Sequence, residues 1–175
     1  MKELHINSQS SSNVVLIGMP GAGKSTLGVL LAKHLAKRFT DTDILLQDML
    51  GETLQDYLDA NGYLNLREQE ERMLLTHQFS DSVVATGGSV VYSEQGMQQL
   101  KSDAVLVYLS IRYETLLERV HNQSERGIAC PAGTTLEQIF QERESLYQRY
   151  ADVVVPLDGV TLEAGLEKVI KALNM

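Results

Sequence analysis

The sequence predicts an α/β fold of three layers, in which a five-stranded parallel sheet lies between layers of helices. Short runs rich in Val, Ile and Leu alternate along the chain with stretches of helical periodicity, which is typical of a parallel sheet covered on both faces. The chain has 175 residues, 43% of them hydrophobic, which suits one domain with a substantial core. No repeat or linker interrupts the alternation, so we expect one domain over residues 13–175, preceded by a disordered polar tail over residues 1–12.

The first strand and helix enclose a glycine-rich segment. Residues 18–25, Gly-Met-Pro-Gly-Ala-Gly-Lys-Ser, fit the phosphate-binding pattern G-x-x-x-x-G-K-[ST], between a strand-like run over 13–17 and a helical stretch over 25–37. A chance glycine-rich turn is the alternative. In a true phosphate loop the N–H groups and the helix N-terminus point at the β-phosphate, Lys24 reaches the β- and γ-phosphates, and the Ser25 hydroxyl binds Mg²⁺. The expected nucleotide contacts are Gly21, Ala22, Gly23, Lys24, Ser25 and Thr26.

The second strand is predicted over residues 38–43, and it ends in two carboxylates, Asp41 and Asp43. Side chains at i and i+2 of a strand point to the same side, and at the carboxyl end of a parallel strand they would face the phosphate site. An acidic turn is the alternative interpretation. Helices are then predicted over residues 44–50, from the N-cap residue 53 to about 61–62, and over 64–79.

On the last of these helices Arg67 and Glu70 are three residues apart and share a face. A solvated surface pair would explain this spacing equally well. The third strand, predicted over residues 82–86, runs into Gly87-Gly88-Ser89. Two glycines at a strand end allow a ligand to approach the backbone, although a plain strand-to-helix turn is also possible.

The remaining chain continues the alternation until a polar segment over residues 121–133 interrupts it. A polar loop of about a dozen residues in a compact domain is often a lid, and Arg126 is the one cation in it. The other predicted elements are helices over 93–101, 113–120, 134–150 and 161–173, and strands over 104–109 and 152–155.

Composition argues against several classes of function. The formal net charge of −8 disfavours nonspecific binding to nucleic acid or to anionic membranes. No apolar run reaches the length of about 18 residues that a membrane helix needs, and residues 1–12 lack the apolar centre of a signal peptide. The one cysteine, Cys130, cannot form an internal disulfide, and the four histidines show no metal-ligand spacing. We therefore expect a cytoplasmic protein, without a transition metal, and a monomer.

Taken together, the motifs resemble those of shikimate kinases. The resemblance covers about residues 14–170, and the combination of motifs is far more specific than the phosphate loop that many kinases share. It implies a single P-loop kinase domain that uses ATP and Mg²⁺, with an acceptor-binding region at about 43–79 and a lid at about 121–133. The motifs, in the family's order, are Gly18–Ser25, Asp41-Thr42-Asp43, Leu66–Glu70, Ala85–Gly88 and Glu142–Tyr147, with Arg119 and Arg126 at the family's spacing.

The resemblance implies ATP-dependent phosphorylation of the 3-hydroxyl of shikimate, a small hydroxylated acid on the route to aromatic amino acids. Asp43 would hold the reacting hydroxyl and could take its proton, while Asp41 and Ser25 would support Mg²⁺. Arg67 and Arg143 would clamp the substrate carboxylate, because each offers a planar fork of donors. The other implied roles are substrate contacts at Gly87, Gly88 and Ser89, phosphoryl stabilisation by the lid residue Arg126, and adenine contacts at Arg119 and Leu162.

Several acceptor-pocket positions differ from the family pattern. Ser89 replaces a third glycine, and it could narrow the pocket or hydrogen-bond an acceptor hydroxyl. Tyr63 and Leu66 replace an acidic and an aromatic residue, residues 127–129 replace Pro-Leu-Leu, and Leu162 replaces a proline. Besides a shikimate kinase, two hypotheses therefore stay open: a related kinase of another small hydroxy acid or polyol, and a nucleotide-binding module without transfer activity.

Overall fold

The computed structural model describes residues 13–121 and 129–174. It confirms the predicted α/β fold with a five-stranded, all-parallel sheet flanked by helices. The strands are β1 (Asn13–Ile17), β2 (Arg38–Asp41), β3 (Ser82–Ala85), β4 (Ala104–Ser110) and β5 (Val153–Pro156). The helices are α1 (Lys24–Leu35), α2 (Thr42–Leu50), α3 (Leu54–Thr76), α4 (Glu94–Lys101), α5 (Tyr113–His121), α6 (Leu136–Tyr150) and α7 (Leu162–Ala172), with a short 3₁₀ helix at Val90–Tyr92.

The strand order β2-β3-β1-β4-β5 places β1 at the centre of the sheet. Its middle residue, Val15, lies opposite Val84 of β3 and Leu106 of β4, and all five residues of β1 are buried. A strand that is covered on both faces must be apolar along its length, which explains the continuous Val-Val-Leu-Ile run. Because the strands are parallel, the carboxyl ends of β2, β3 and β1 lie side by side at one edge.

Strand β2 is shorter than the second strand that the sequence predicts. It ends at Asp41, and the prediction that Asp43 continues the strand is wrong, because Asp43 lies in the first turn of α2. Asp41 is the N-cap of that helix, and its carboxylate accepts a hydrogen bond from the Asp43 N–H at 3.0 Å. Aspartate is among the strongest N-cap residues, so a local hydrogen bond ends the strand two residues early.

Two predicted helices are joined in the structure. Helix α3 continues through the predicted break, but Gly62 has non-helical angles (φ 81°, ψ 166°), so the break is a kink rather than a loop. The helix then ends at Thr76, three residues before the predicted end at residue 79. Helix α6 begins two residues after its predicted start, where Thr135 and Gln138 form a capping box.

The predicted tail and most of the predicted lid, including Arg126, lie outside the described residues. Within the described residues, no helix is both long and apolar enough to span a bilayer.

One buried side chain connects the amino ends of three strands. Asn13, 4% exposed, donates from Nδ2 to the carbonyl oxygens of Phe79 (3.0 Å) and Asp103 (3.2 Å), which precede β3 and β4. Its Oδ1 accepts a hydrogen bond from the Ser82 N–H at 3.0 Å. The amide therefore provides a partner for the buried N–H of Ser82 and joins it to the carbonyl groups that precede β3 and β4.

We expect Asn13→Ala to lower the free energy of unfolding by about 2–4 kcal/mol, because it leaves a buried N–H and a carbonyl unsatisfied. Urea unfolding at pH 7 measures this. The control is Asn65→Ala, since Asn65 is exposed on α3 and its replacement should change stability by about 0.5 kcal/mol or less. Equal effects of the two changes would contradict the structural role of Asn13.

Candidate functional site

A cleft of about 220 Å³ opens where the carboxyl ends of β1, β2 and β3 meet. This is the edge at which open α/β sheets bind their ligands. The cleft is lined by ten of the residues to which the sequence assigns a nucleotide, metal, catalytic or substrate contact: Gly21, Gly23, Lys24, Ser25, Thr26, Asp43, Gly87, Gly88, Ser89 and Arg143.

The glycine-rich loop delivers the N-terminus of α1 to the cleft. Gly23 is the N-cap at φ 97°, a conformation that favours glycine, and no side chain caps the helix. Lys24 is 8% exposed, and its ammonium group donates to the carbonyl oxygens of Gly18 (2.7 Å) and Met19 (2.8 Å). The loop thus folds around its own lysine and presents a helix N-terminus, the arrangement that binds phosphate groups.

A hydroxyl and a carboxylate meet beside the first turn of α1. The Ser25 hydroxyl donates to Asp41 Oδ2 at 2.6 Å, while Asp41 Oδ1 accepts the Asp43 N–H. Mg²⁺ prefers oxygen ligands and usually keeps several waters, so one hydroxyl and one carboxylate are a fitting protein contribution. The pair therefore fits the predicted magnesium site.

Threonine hydroxyls connect the strand ends that form the cleft. Thr42 Oγ1 accepts a hydrogen bond from the Gly87 N–H at 2.9 Å, and Thr86 Oγ1 donates to the Leu16 carbonyl at 3.0 Å. Both threonines are buried. These bonds fix the end of β3 against the start of α2 on one side and against β1 on the other.

Two carboxylates approach the backbone of Gly87 closely. A Cβ at this position would lie 2.7 Å from Asp43 Oδ1 and 3.0 Å from Glu70 Oε1. Any side chain would therefore displace one of the carboxylates, which gives a steric reason for glycine here. Both Asp43 and Glu70 line the cleft.

Two arginines from different helices converge on one oxygen atom. The Nη2 atoms of Arg67 in α3 and Arg143 in α6 donate to the carbonyl oxygen of Ala129, at 3.2 and 3.0 Å. The Arg67 guanidinium carbon lies 3.6 Å from the centre of the Tyr92 ring, and that of Arg143 lies 5.4 Å from it. Arg143 is only 1% exposed. In the described part of the chain, neither arginine forms an ion pair within 4.0 Å.

Glu70 lies buried beside these arginines, at 5% exposure. The Ser89 hydroxyl is 2.7 Å from Glu70 Oε1 and 2.6 Å from Oε2, so its proton is shared between the two oxygens. Burial raises the pKa of Glu70 to about 7; the Ser89 hydrogen bond lowers it, the charge of Asp43 raises it, and Arg143 and Arg67 lower it. The Ser89 hydroxyl therefore contacts a protein carboxylate.

Neither of the two predicted adenine contacts is among the residues that line the cleft. Arg119 Nη1 donates to the Gly21 carbonyl at 2.8 Å, so this residue is held against the phosphate loop. Leu162 is the first residue of α7, 39% exposed and outside the cleft lining. Ala22 is buried within the loop, where its N–H donates to Met19.

Three contributors to the site have no predicted role in it. The sequence places Glu70 on one face of α3 with Arg67, but the spacing alone does not distinguish a site residue from a surface pair. Tyr92 lies in a 3₁₀ helix too short to show periodicity, and Ala129 contributes only its carbonyl oxygen. No side-chain pattern in the sequence could have indicated these last two.

In sequence and in fold, the chain is similar to known shikimate kinases. A family model described as "Shikimate kinase" matches residues 20–174. The chain is 32% identical to the shikimate kinase of Vibrio cholerae over 93% of this chain and 95% of the relative, and 33% identical to that of Francisella tularensis subsp. novicida over 91% and 93%. The solved structure of shikimate kinase from Acinetobacter baumannii in complex with shikimate is similar with a TM-score of 0.83 and 26% identity, over 93% of this chain and 92% of that one.

The raised pKa of Glu70 predicts a pH-dependent stability. The folded protein binds the Glu70 proton more tightly than the unfolded chain does. The stability that comes from this proton is therefore fully present below pH 4.5 and is lost as the pH rises through 7. Between pH 4.5 and 8 the free energy of unfolding of the wild type should fall by about 3 kcal/mol relative to that of Glu70→Gln, whose side chain has the same shape and no charge to bury. Urea unfolding of both proteins across this range measures the difference, and parallel curves would contradict it.

Proposed function

The chain belongs to the shikimate kinase family, whose members are phosphotransferases with an alcohol group as acceptor, and we propose that it transfers the γ-phosphoryl group of ATP to the 3-hydroxyl of shikimate. The observation that supports an acidic acceptor most directly is the convergence of Arg67 and Arg143 on the carbonyl oxygen of Ala129. Two planar donor forks without a carboxylate partner in the described residues are suited to the carboxylate of a substrate.

The donor half of the reaction rests on the phosphate loop. The N-terminus of α1 and the Lys24 ammonium group would stabilise charge on the β- and γ-phosphates. Bound Mg²⁺ would neutralise charge on the same phosphates, held by Ser25 and Asp41. The resemblance assigns Arg126, outside the described residues, to the transferring phosphoryl group.

The acceptor half rests on Asp43. Its carboxylate lines the same cleft as Lys24 and reaches it from the first turn of α2, beside the Gly87 backbone. We assign it to orient the 3-hydroxyl and to accept its proton as the oxygen–phosphorus bond forms. Phosphoryl transfer needs mainly positioning and charge stabilisation, so one well-placed carboxylate and a fixed carboxylate clamp are sufficient on this side.

The wall of the acceptor pocket also supports a second candidate, a kinase of another small hydroxy acid. Leu66 and Ser89, which depart from the family pattern, line the cleft. Tyr63, a third departure, places its ring 5.1 Å from the Arg67 guanidinium carbon. The clamp itself is retained, so an acidic acceptor is expected in either case.

Coupled measurement of ADP release, with ATP and Mg²⁺, tests the proposed function. Release that depends on shikimate, together with ³¹P NMR that places the phosphate on the 3-hydroxyl, is the expected result. Release only with other hydroxy acids from a panel would support the second candidate. Tight ATP binding without release for any acceptor would overturn both.

We expect Lys24→Ala to lower kcat by about 10²–10³-fold, because it removes a preorganised cation from the phosphate site. Lys33→Ala is the control, since Lys33 is exposed on the same helix. Steady-state kinetics with thermal unfolding measures the effect. Wild-type turnover in a folded Lys24 variant would rule out this assignment.

We expect Arg67→Lys and Arg143→Lys to raise the KM for shikimate about 10-fold or more and to change the KM for ATP less than about twofold. Lysine keeps the charge but loses the planar fork of donors. The matched controls are Arg72→Lys on α3 and Arg149→Lys on α6, both exposed. If the KM for ATP rose instead, the clamp assignment would be wrong.

A further inference from the structure

We propose that Ser89 is a positioning residue of the acceptor site: its hydroxyl holds the Glu70 carboxylate apart from the guanidinium groups of Arg67 and Arg143, which stay available to the carboxylate of the acceptor. The inference rests on the proposed function in one respect, the acidic acceptor. It gives a role to a side chain that departs from the family pattern, where a glycine would offer no hydroxyl.

The carboxylate has a defined position on one side of the site. The Ser89 hydroxyl spans both Glu70 oxygens, at 2.7 and 2.6 Å, and both residues are buried. Glu70 Oε1 also lies near the Gly87 backbone, where a Cβ would be only 3.0 Å away. Glu70 is therefore fixed by the Ser89 hydroxyl, its hydrogen-bond donor among the described residues, and lies close to the Gly87 backbone.

The cations have a separate set of contacts. Both guanidinium groups donate to the Ala129 carbonyl, and both lie near the Tyr92 ring, whose hydroxyl is 3.5 Å from Arg143 Nε. Arg67 Nε is buried and has no hydrogen-bond partner within the described part of the chain. The buried carboxylate of Glu70 and the two guanidinium groups thus have different hydrogen-bond partners among the described residues.

This separation is not what electrostatics alone would favour. A buried carboxylate and two nearby guanidinium groups attract one another strongly where water is scarce, and each is costly to leave unpaired. A second cavity of about 270 Å³, lined by Arg67, Glu70 and Ser89, gives the carboxylate room to move. Without the hydroxyl, a Glu70 that stays ionised is best satisfied by an ion pair with an arginine of the clamp.

Such an ion pair would compete with the acceptor. A guanidinium group that is paired with Glu70 must lose that contact before it binds a substrate carboxylate. Binding of the acceptor is therefore weakened equally in the ground state and in the transition state. The expected signature of losing Ser89 is therefore a higher KM for the acceptor with little change in kcat or in the KM for ATP.

The test is a double-mutant cycle of Ser89→Ala and Glu70→Gln, assayed at pH 8, above the pKa of about 7 that Glu70 has in the wild type. Ser89→Ala keeps the Cβ and removes only the hydroxyl. In the wild-type background it should raise the KM for shikimate about 10-fold, while kcat and the KM for ATP change less than about threefold. In the Glu70→Gln background it should have little effect, because a neutral amide cannot form an ion pair with the arginines.

Crystal structures of the wild type and Ser89→Ala give a readout that does not depend on turnover. We expect no Glu70 oxygen within 4.0 Å of either guanidinium group in the wild type, and an ion pair in the variant. A Glu70 that stays in place in Ser89→Ala, or the same rise in KM in both backgrounds, would overturn the proposal. Failure of the proposed function would be seen separately, because the wild type would then release no ADP with shikimate.

Discussion

The acceptor site depends on the burial of a guanidinium group without an ion pair in the described chain. Arg143 is 1% exposed, and burying a charge in this way costs several kcal/mol unless other contacts offset it. The Tyr92 ring and the Ala129 carbonyl provide such contacts. Gly88 leaves room for the guanidinium group, because a Cβ at this position would lie 3.0 Å from Arg143 Nη1. The Gly88 carbonyl oxygen accepts a hydrogen bond from the Tyr147 hydroxyl at 2.6 Å. The arrangement does little for stability, but it would favour the binding of an anion, as the proposed function requires.

The sheet order explains why motifs that are distant in sequence meet. Strands β2, β3 and β1 are neighbours, so the residues that follow them share one edge: Asp41 and Asp43, then Thr86 and Gly87, then the phosphate loop. The hydrogen bond from the Gly87 N–H to Thr42 and that from Thr86 to Leu16 set the spacing between these ends. The donor and acceptor halves of the cleft are thus held by the same three strands.

Much of this arrangement could be predicted from the sequence, because its signals are periodic or fixed in spacing. The buried run of β1, the phosphate loop and the i, i+3 pair on α3 are of this kind. What the sequence could not show depends on local competition or on main-chain atoms. Asp41 caps α2 instead of continuing β2, and the convergence point of two arginines is a carbonyl oxygen of an alanine. The partner of Ser89 is likewise decided by packing, since the residue and Glu70 are 19 positions apart.

The Asn13 cluster has a bearing on how this protein can evolve. It lies at the amino end of β1, about 16 Å from the start of the phosphate loop, which follows the carboxyl end of the same strand. Effects of substitutions at sites separated by more than about 7–10 Å usually add. Substitutions that stabilise the amino-terminal edge of the sheet, around Asn13, can therefore compensate for destabilising substitutions in the acceptor wall. Substrate preference could then change while the fold is retained. Tyr63, Leu66 and Ser89, which depart from the family pattern, are positions at which a substitution would need such compensating stability.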